Sequence, residues 1–195
     1  MCSWCYAFGP VLERLLTSLP QQLNVKRLLG GLAADSDEPM PQQMQTYLQQ
    51  TWQQIETRAP GIHFNFDFWR QCQPRRSTWR ACRAVIAARQ QDVAFDEAMT
   101  RAIQQAYYQQ ARNPSDRETL IALATEIGAD SDRFAQQLDA DVTQSVLIEE
   151  MEICRVLGVD SFPSLILDAN DNRQHRIDVD YRDAVPMRER IESLL

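Results

Sequence analysis

This sequence is short of the features that mark many functional classes. It has no Lys/Arg run, and its formal net charge is −7. Both argue against nucleic acid and anionic membranes as partners. No apolar run approaches the roughly 20 residues that span a bilayer. Nothing resembling a signal peptide precedes the first motif, because Met1 abuts it directly. No internal repeat is visible, and the many glutamines are scattered through amphipathic segments rather than gathered in a tract. The five cysteines are odd in number and lack the spacing of a small disulfide scaffold, which suits a reducing, cytoplasmic compartment.

What is present is concentrated at the start. Cys2 and Cys5 stand two residues apart, ahead of an apolar series at helical spacing: Phe8, Val11, Leu12, Leu15, Leu16, Leu19. A thiol at a helix start meets free backbone N–H groups and the positive end of the helix dipole, which favour the thiolate. The thiolate is the nucleophile. In this pattern Cys2 attacks and Cys5 resolves the mixed disulfide. Two structural thiols, or half of a zinc site, are the competing readings. A four-cysteine zinc site needs a second close pair, and Cys72, Cys82 and Cys154 are far apart. No metal and no cofactor are expected.

With 195 residues the chain can bury one sizeable core, or a domain carrying a large insertion. A helix is expected from about Trp4 to Leu19, kinked by Pro10 and ended by Pro20. Asn24 to Ala34 reads as a strand covered on both faces, because its apolar residues are nearly continuous. Residues 35–41 read as a loop. A helix follows from Pro41 to Thr57, then a short alternating segment from Ile62 to Trp69 with His63 on the polar side. The pattern then stays helical to Gly158. Ser77 is expected to cap one helix, Ser115 and Glu118 to form a capping box, and Asp130 to cap another. Cys82 and Cys154 fall on apolar helical faces, Cys72 in a polar loop, and Glu149–Glu152 on a solvated face. Past Gly158, residues 164–167 read as a strand, Asp168–Asn172 as a turn, His175–Val179 as its hairpin partner, and Ala184–Leu195 as a final helix.

Cys2-Ser3-Trp4-Cys5-Tyr6 with Phe8-Gly9-Pro10, Gly30-Gly31-Leu32-Ala33, Trp79 to Ala84, and Gly158-Val159-Asp160-Ser161-Phe162-Pro163-Ser164 together resemble the DsbA-like dithiol–disulfide oxidoreductases, in their FrnE-type branch. The resemblance implies an α/β, thioredoxin-like fold with a large all-helical insertion. Residues 1–40 and 159–195 would form the thioredoxin-like domain, and 41–158 the insertion. It matches Cys2 to the nucleophile, Cys5 to the resolving thiol, and Phe162-Pro163 to a cis-proline turn beside the dithiol that pairs with an extended substrate. Ser3 and Trp4 are expected to tune the dithiol. Implied partners are disulfide- or thiol-containing proteins, with glutathione as a small-molecule partner.

The family also places a central strand just before the Cys-x-x-Cys. Only Met1 precedes Cys2 here, so the sequence is expected to continue upstream in a short apolar strand. Two other functions compete. A kappa-type glutathione-dependent transferase shares the fold but typically carries serine at the helix start. A non-enzymatic binding module would keep a dithiol that never cycles.

Overall fold

The computed structural model describes residues 1–169 and 173–195. Helices dominate it. Helix α1 spans Ser3–Ser18, α2 Gln42–Arg58, α3 Phe68–Gln71, α4 Trp79–Arg89 and α5 Phe95–Tyr108. They are followed by α6 Arg117–Glu126, α7 Ser131–Leu138, α8 Asp141–Val156 and, after the strands, α9 Val185–Glu192. Strands β1 (Leu165–Asp168) and β2 (Gln174–Ile177) pair antiparallel, with Leu165 opposite Ile177. The expected turn at Asp168–Asn172 lies partly outside the described residues, at 170–172.

Three apolar clusters hold these elements. Around Phe8, Val11 and Leu15, helix α1 packs on Ile177, Met187 and Ile191 of β2 and α9. Ala7 turns to a second cluster with Trp52, Ile55, Phe64, Phe68 and Tyr108. The third fills the helical block with small and large residues of α4 to α7, among them Ala84, Met99, Ile103, Leu120 and Phe134. Helix α1 is therefore shared: one stripe faces the hairpin and α9, another faces the aromatic cluster. Its apolar spacing, interrupted only by Pro10 inside the helix, produces both faces.

Several local expectations are corrected. Residues 24–34 join no sheet among the described residues, and Val25 and Leu32 are exposed. Side chains satisfy this backbone instead. Leu29 N–H donates to Glu150, Ala33 N–H to Thr78 Oγ1, and the Trp79 indole to the Gly31 carbonyl. Extended backbone can thus be held by the helical block without a ladder partner. Glu150 is accordingly buried, not on a solvated face, and pairs with Arg89.

Thr78, not Ser77, precedes α4, and its hydroxyl is taken by Ala33. The Ser115 box does not form, because Asp116 occupies the cap position and Ser115 Oγ donates to Ser77 O. Residues 62–65 are not a strand, although Ile62 and Phe64 are buried and His63 is exposed. Asp130 caps α7 as expected, accepting from Asp132 and Arg133 N–H. Gly128 and Gly158 end α6 and α8 with φ of +85° and +67°.

Candidate active site: a dithiol facing a cis-proline turn

Cys2 occupies the N-cap of α1 with extended backbone, and its Sγ accepts from Cys5 N–H at 3.3 Å. A sulfur in this position takes the place of the side-chain oxygen that usually caps a helix, and it meets the dipole's positive end. Both cysteines are free thiols, half-buried. Their acidities are pushed apart. The Cys5 thiol, hydrogen-bonded to Cys2, lowers the Cys2 pKa to about 7 despite desolvation, with further help from the Cys5 and Trp4 backbone N–H groups. Cys5 is raised well above the ordinary thiol value, by its bond to Cys2 and then by burial. One sulfur is thus primed to ionise near neutral pH while the other keeps its proton.

Across from the dithiol lies the turn Phe162-Pro163. Its peptide bond is cis, as the resemblance implies. The Phe162 carbonyl receives the Cys2 thiol at 3.3 Å, although 160 positions separate them. The tip of the Phe162 ring fills the space beside the bare Cα of Gly30: a Cβ there would fall 1.9 Å from Phe162 Cζ. An open hollow of about 340 Å³ adjoins that ring, lined by the apolar Ile148, Met151, Val159 and Phe162 with Gly30 and Cys154, and by the charged Glu152 and Arg155.

The two residues between the cysteines diverge. Ser3 is buried and accepts from the Trp52 indole N–H at 3.0 Å. Trp4 faces outward, its ring 4.9 Å from that of Tyr181 and beneath the Arg58 guanidinium at 6.0 Å. All six residues singled out in the sequence therefore lie in one neighbourhood, drawn from the start of α1 and the turn before β1.

The model of the family described as Thioredoxin matches residues 1–187. The chain belongs to the thioredoxin family. Among solved structures this thioredoxin-family chain resembles a candidate protein disulfide isomerase from Nitrosomonas europaea, with a TM-score of 0.82, 22% identity, and coverage of 99% of this chain and 92% of that one. It also resembles the cytosolic disulfide reductase DsbM of Pseudomonas aeruginosa, with a TM-score of 0.78, 23% identity, and coverage of 99% and 93%. A DsbM structure with glutathione gives a TM-score of 0.77 at 22% identity, covering 99% and 94%. At these identities the likeness concerns the fold, a DsbA-like thioredoxin fold rich in helices. In sequence the chain is 23% identical over 176 residues to the ClpXP adapter protein SpxH of Halalkalibacterium halodurans. That match covers 88% of this chain but 56% of the relative, so the chain spans little more than half of that relative's length.

The remaining cysteines of this thioredoxin-family chain stay apart from the dithiol's hydrogen bonds. Cys72 donates to the Ala111 carbonyl at 2.9 Å. Burial raises Cys82 to about 11, and Cys154 is buried on α8 beside the hollow. Among the described residues no group of three or more His, Cys, Asp or Glu side chains is placed to hold a metal ion. No helix there is long and apolar enough to cross a membrane.

Two neighbours escaped the sequence reading. Trp52 appears in the sequence only as one apolar residue of an amphipathic helix, and nothing marks its N–H as Ser3's partner. Tyr181 lies in a polar stretch between β2 and α9. Its hydroxyl is pushed up to about 12 by burial, then by the nearby Cys2 and Cys5 sulfurs. A lone aromatic residue 176 positions after Cys5 carries no spacing signal.

Proposed function

We propose that this chain is a thiol–disulfide oxidoreductase with Cys2 as nucleophile and Cys5 as resolving thiol. The observation that carries the reading is geometric: the Cys2 sulfur caps α1, accepts from Cys5 N–H at 3.3 Å and meets the Phe162 carbonyl of the cis-proline turn at 3.3 Å, and the Cys2 pKa shifts down to about 7 in that setting. The Cys2 thiolate attacks one sulfur of a substrate disulfide, forming a mixed disulfide and expelling a substrate thiolate. Cys5 then gives up its proton and attacks the Cys2 sulfur. The second substrate thiol leaves, and a Cys2–Cys5 disulfide remains. The substrate gains the two electrons the dithiol loses, so no cofactor takes part.

Phe162-Pro163 supplies the substrate-side wall in this reading, with the hollow beside Phe162 receiving an apolar side chain of the partner. Ser3 sets the backbone between the cysteines, and Trp4 covers its outer side. Residues 1–40 and 159–195 act as the redox unit, and 41–158 as a helical insertion that packs beside it. Glutathione serves as the thiol that re-reduces the pair, and a cytosolic setting fits. The glutathione-bound cytosolic reductase of the same fold supports both points. The FrnE-type branch belongs to this same reading.

The test is trapping. Cys5→Ser should accumulate a Cys2-linked mixed disulfide with a model disulfide substrate, seen by mass spectrometry, while Cys2→Ser forms none. Equal labelling of both variants, or of neither, would overturn the assignment of roles.

A further inference from the structure

Resting on that reading, we infer that Arg58 and Arg182 select disulfides whose flanking groups carry carboxylates. The chain is acidic overall, at −7, yet exposed arginines gather on the outer side of Trp4. Three arginines are linked there through backbone carbonyls. Arg14 Nη2 donates to Arg182 O at 3.2 Å, and Arg182 Nε donates to Arg58 O at 3.1 Å. Arg58 stands over the Trp4 ring at 6.0 Å, and Trp4 lies between the two cysteines in sequence. Arg182 follows Tyr181, whose ring packs 4.9 Å from that of Trp4. The basic surface is therefore continuous with the dithiol's outer wall.

These arginines differ from most others in the chain. Arg27, Arg75, Arg83, Arg89, Arg101 and Arg117 each pair with a carboxylate. Among the described residues no carboxylate lies within ion-pair distance of Arg14, Arg58 or Arg182. The nearby Asp180 accepts the backbone N–H groups of Arg182 and Asp183, and the Arg182 charge also favours its ionised form, though from beyond ion-pair distance. All three arginines are exposed. Unpaired guanidinium groups offer forked donors that match carboxylates in geometry and charge. A partner bound by Cys2 with a carboxylate on the Trp4 side meets them directly. Two sources carry that chemistry: glutathione disulfide, with carboxylates at both ends of each tripeptide, and a peptide disulfide with acidic neighbours.

The experiment measures the second-order rate constant at which the pre-reduced Cys2–Cys5 dithiol is oxidised in a single turnover by glutathione disulfide, by its net-neutral glycine ethyl ester, and by two peptide disulfides flanked by Glu or by Gln. Both wild-type and Arg58→Gln/Arg182→Gln protein are used. The ratio of acid to neutral substrate should exceed one in wild type and fall with added salt. It should drop about three- to tenfold in the double variant. Arg76→Gln/Arg133→Gln removes the same two charges from exposed arginines of the helical segment, where Arg133 Nη2 meets Gln90 O, and should leave the ratio in place. A ratio lost only for glutathione assigns the site to the small molecule; one lost only for the peptides assigns it to proteins. Equal rates for acid and neutral substrates, or a ratio indifferent to the double variant, would overturn the inference while leaving the oxidoreductase reading intact. No turnover of any disulfide would sink that reading, and this inference with it.

Discussion

The Trp52 indole N–H donates to Ser3 Oγ across 3.0 Å, inside the protein. Trp52 is fully buried, stacked on Phe64 at 4.8 Å, so the first of the two residues between the cysteines is anchored to the aromatic core. Trp52→Phe keeps much of the packing but removes the donor. It should cost about 1–2 kcal/mol. Ser3→Ala strands the buried N–H and should cost about 1–3 kcal/mol. The double variant should cost less than the sum, and denaturant unfolding of the four proteins measures the coupling. Strict additivity would show that the bond contributes nothing.

Ionisation of Cys2 should be visible as a midpoint near pH 7 in the rate of alkylation of the reduced protein. Its largest cause is the Cys5 thiol. In Cys5→Ala the midpoint should therefore move up, toward the ordinary thiol range, while the backbone N–H at position 5 still holds part of the shift. An unchanged midpoint would mean that the helix end alone sets the acidity.

The same shift links to stability. Cys2 is more acidic in the folded state than its ordinary value of 9.0. The folded state therefore releases this proton first, and the reduced protein gains stability as pH rises from about 7 toward 9. The gain is absent below the folded value and complete above the ordinary one. Cys5, held protonated by the fold, opposes it only above 9.0. Relative to Cys2→Ala, the reduced protein should become harder to unfold between pH 7 and 9. Parallel stability curves for the two would contradict this.

Glu150 joins α8 to the extended segment, accepting from Leu29 N–H at 2.8 Å and pairing with Arg89. Glu150→Ala leaves that amide without its partner, although Arg89 keeps Asp96. The expected loss is about 2–3 kcal/mol by denaturant unfolding. Protection of the Leu29 amide from hydrogen exchange should fall with it.

How much of this was legible beforehand differs by range of interaction. The start of α1, the cap at Asp130 and the stops at Gly128 and Gly158 follow from local chemistry, each where its residues stand in the sequence, while the cis turn before β1 was implied by the family resemblance. The expected pairing of residues 24–34, the solvated reading of Glu150 and the cap at Ser77 failed because side-chain contacts between distant segments decide all three. The first assumed ladder partners and the other two local surroundings, while the fold supplies distant side chains: Glu150 reaches Leu29 over 121 positions, and Thr78 reaches Ala33 over 45. The basic surface at Arg14, Arg58 and Arg182 was invisible for the same reason. Its members are far apart in sequence and form no Lys/Arg run, so charge patterning along the chain cannot reveal them.

The central claim is that Cys2 and Cys5 form one reversible redox couple. Equilibration of the protein in glutathione buffers of graded composition, followed by alkylation and mass spectrometry, tests it most directly. The account predicts a single two-electron transition confined to Cys2 and Cys5, with Cys72, Cys82 and Cys154 alkylated as free thiols throughout. A pair that never forms a disulfide, or that oxidises only together with another cysteine, would contradict it.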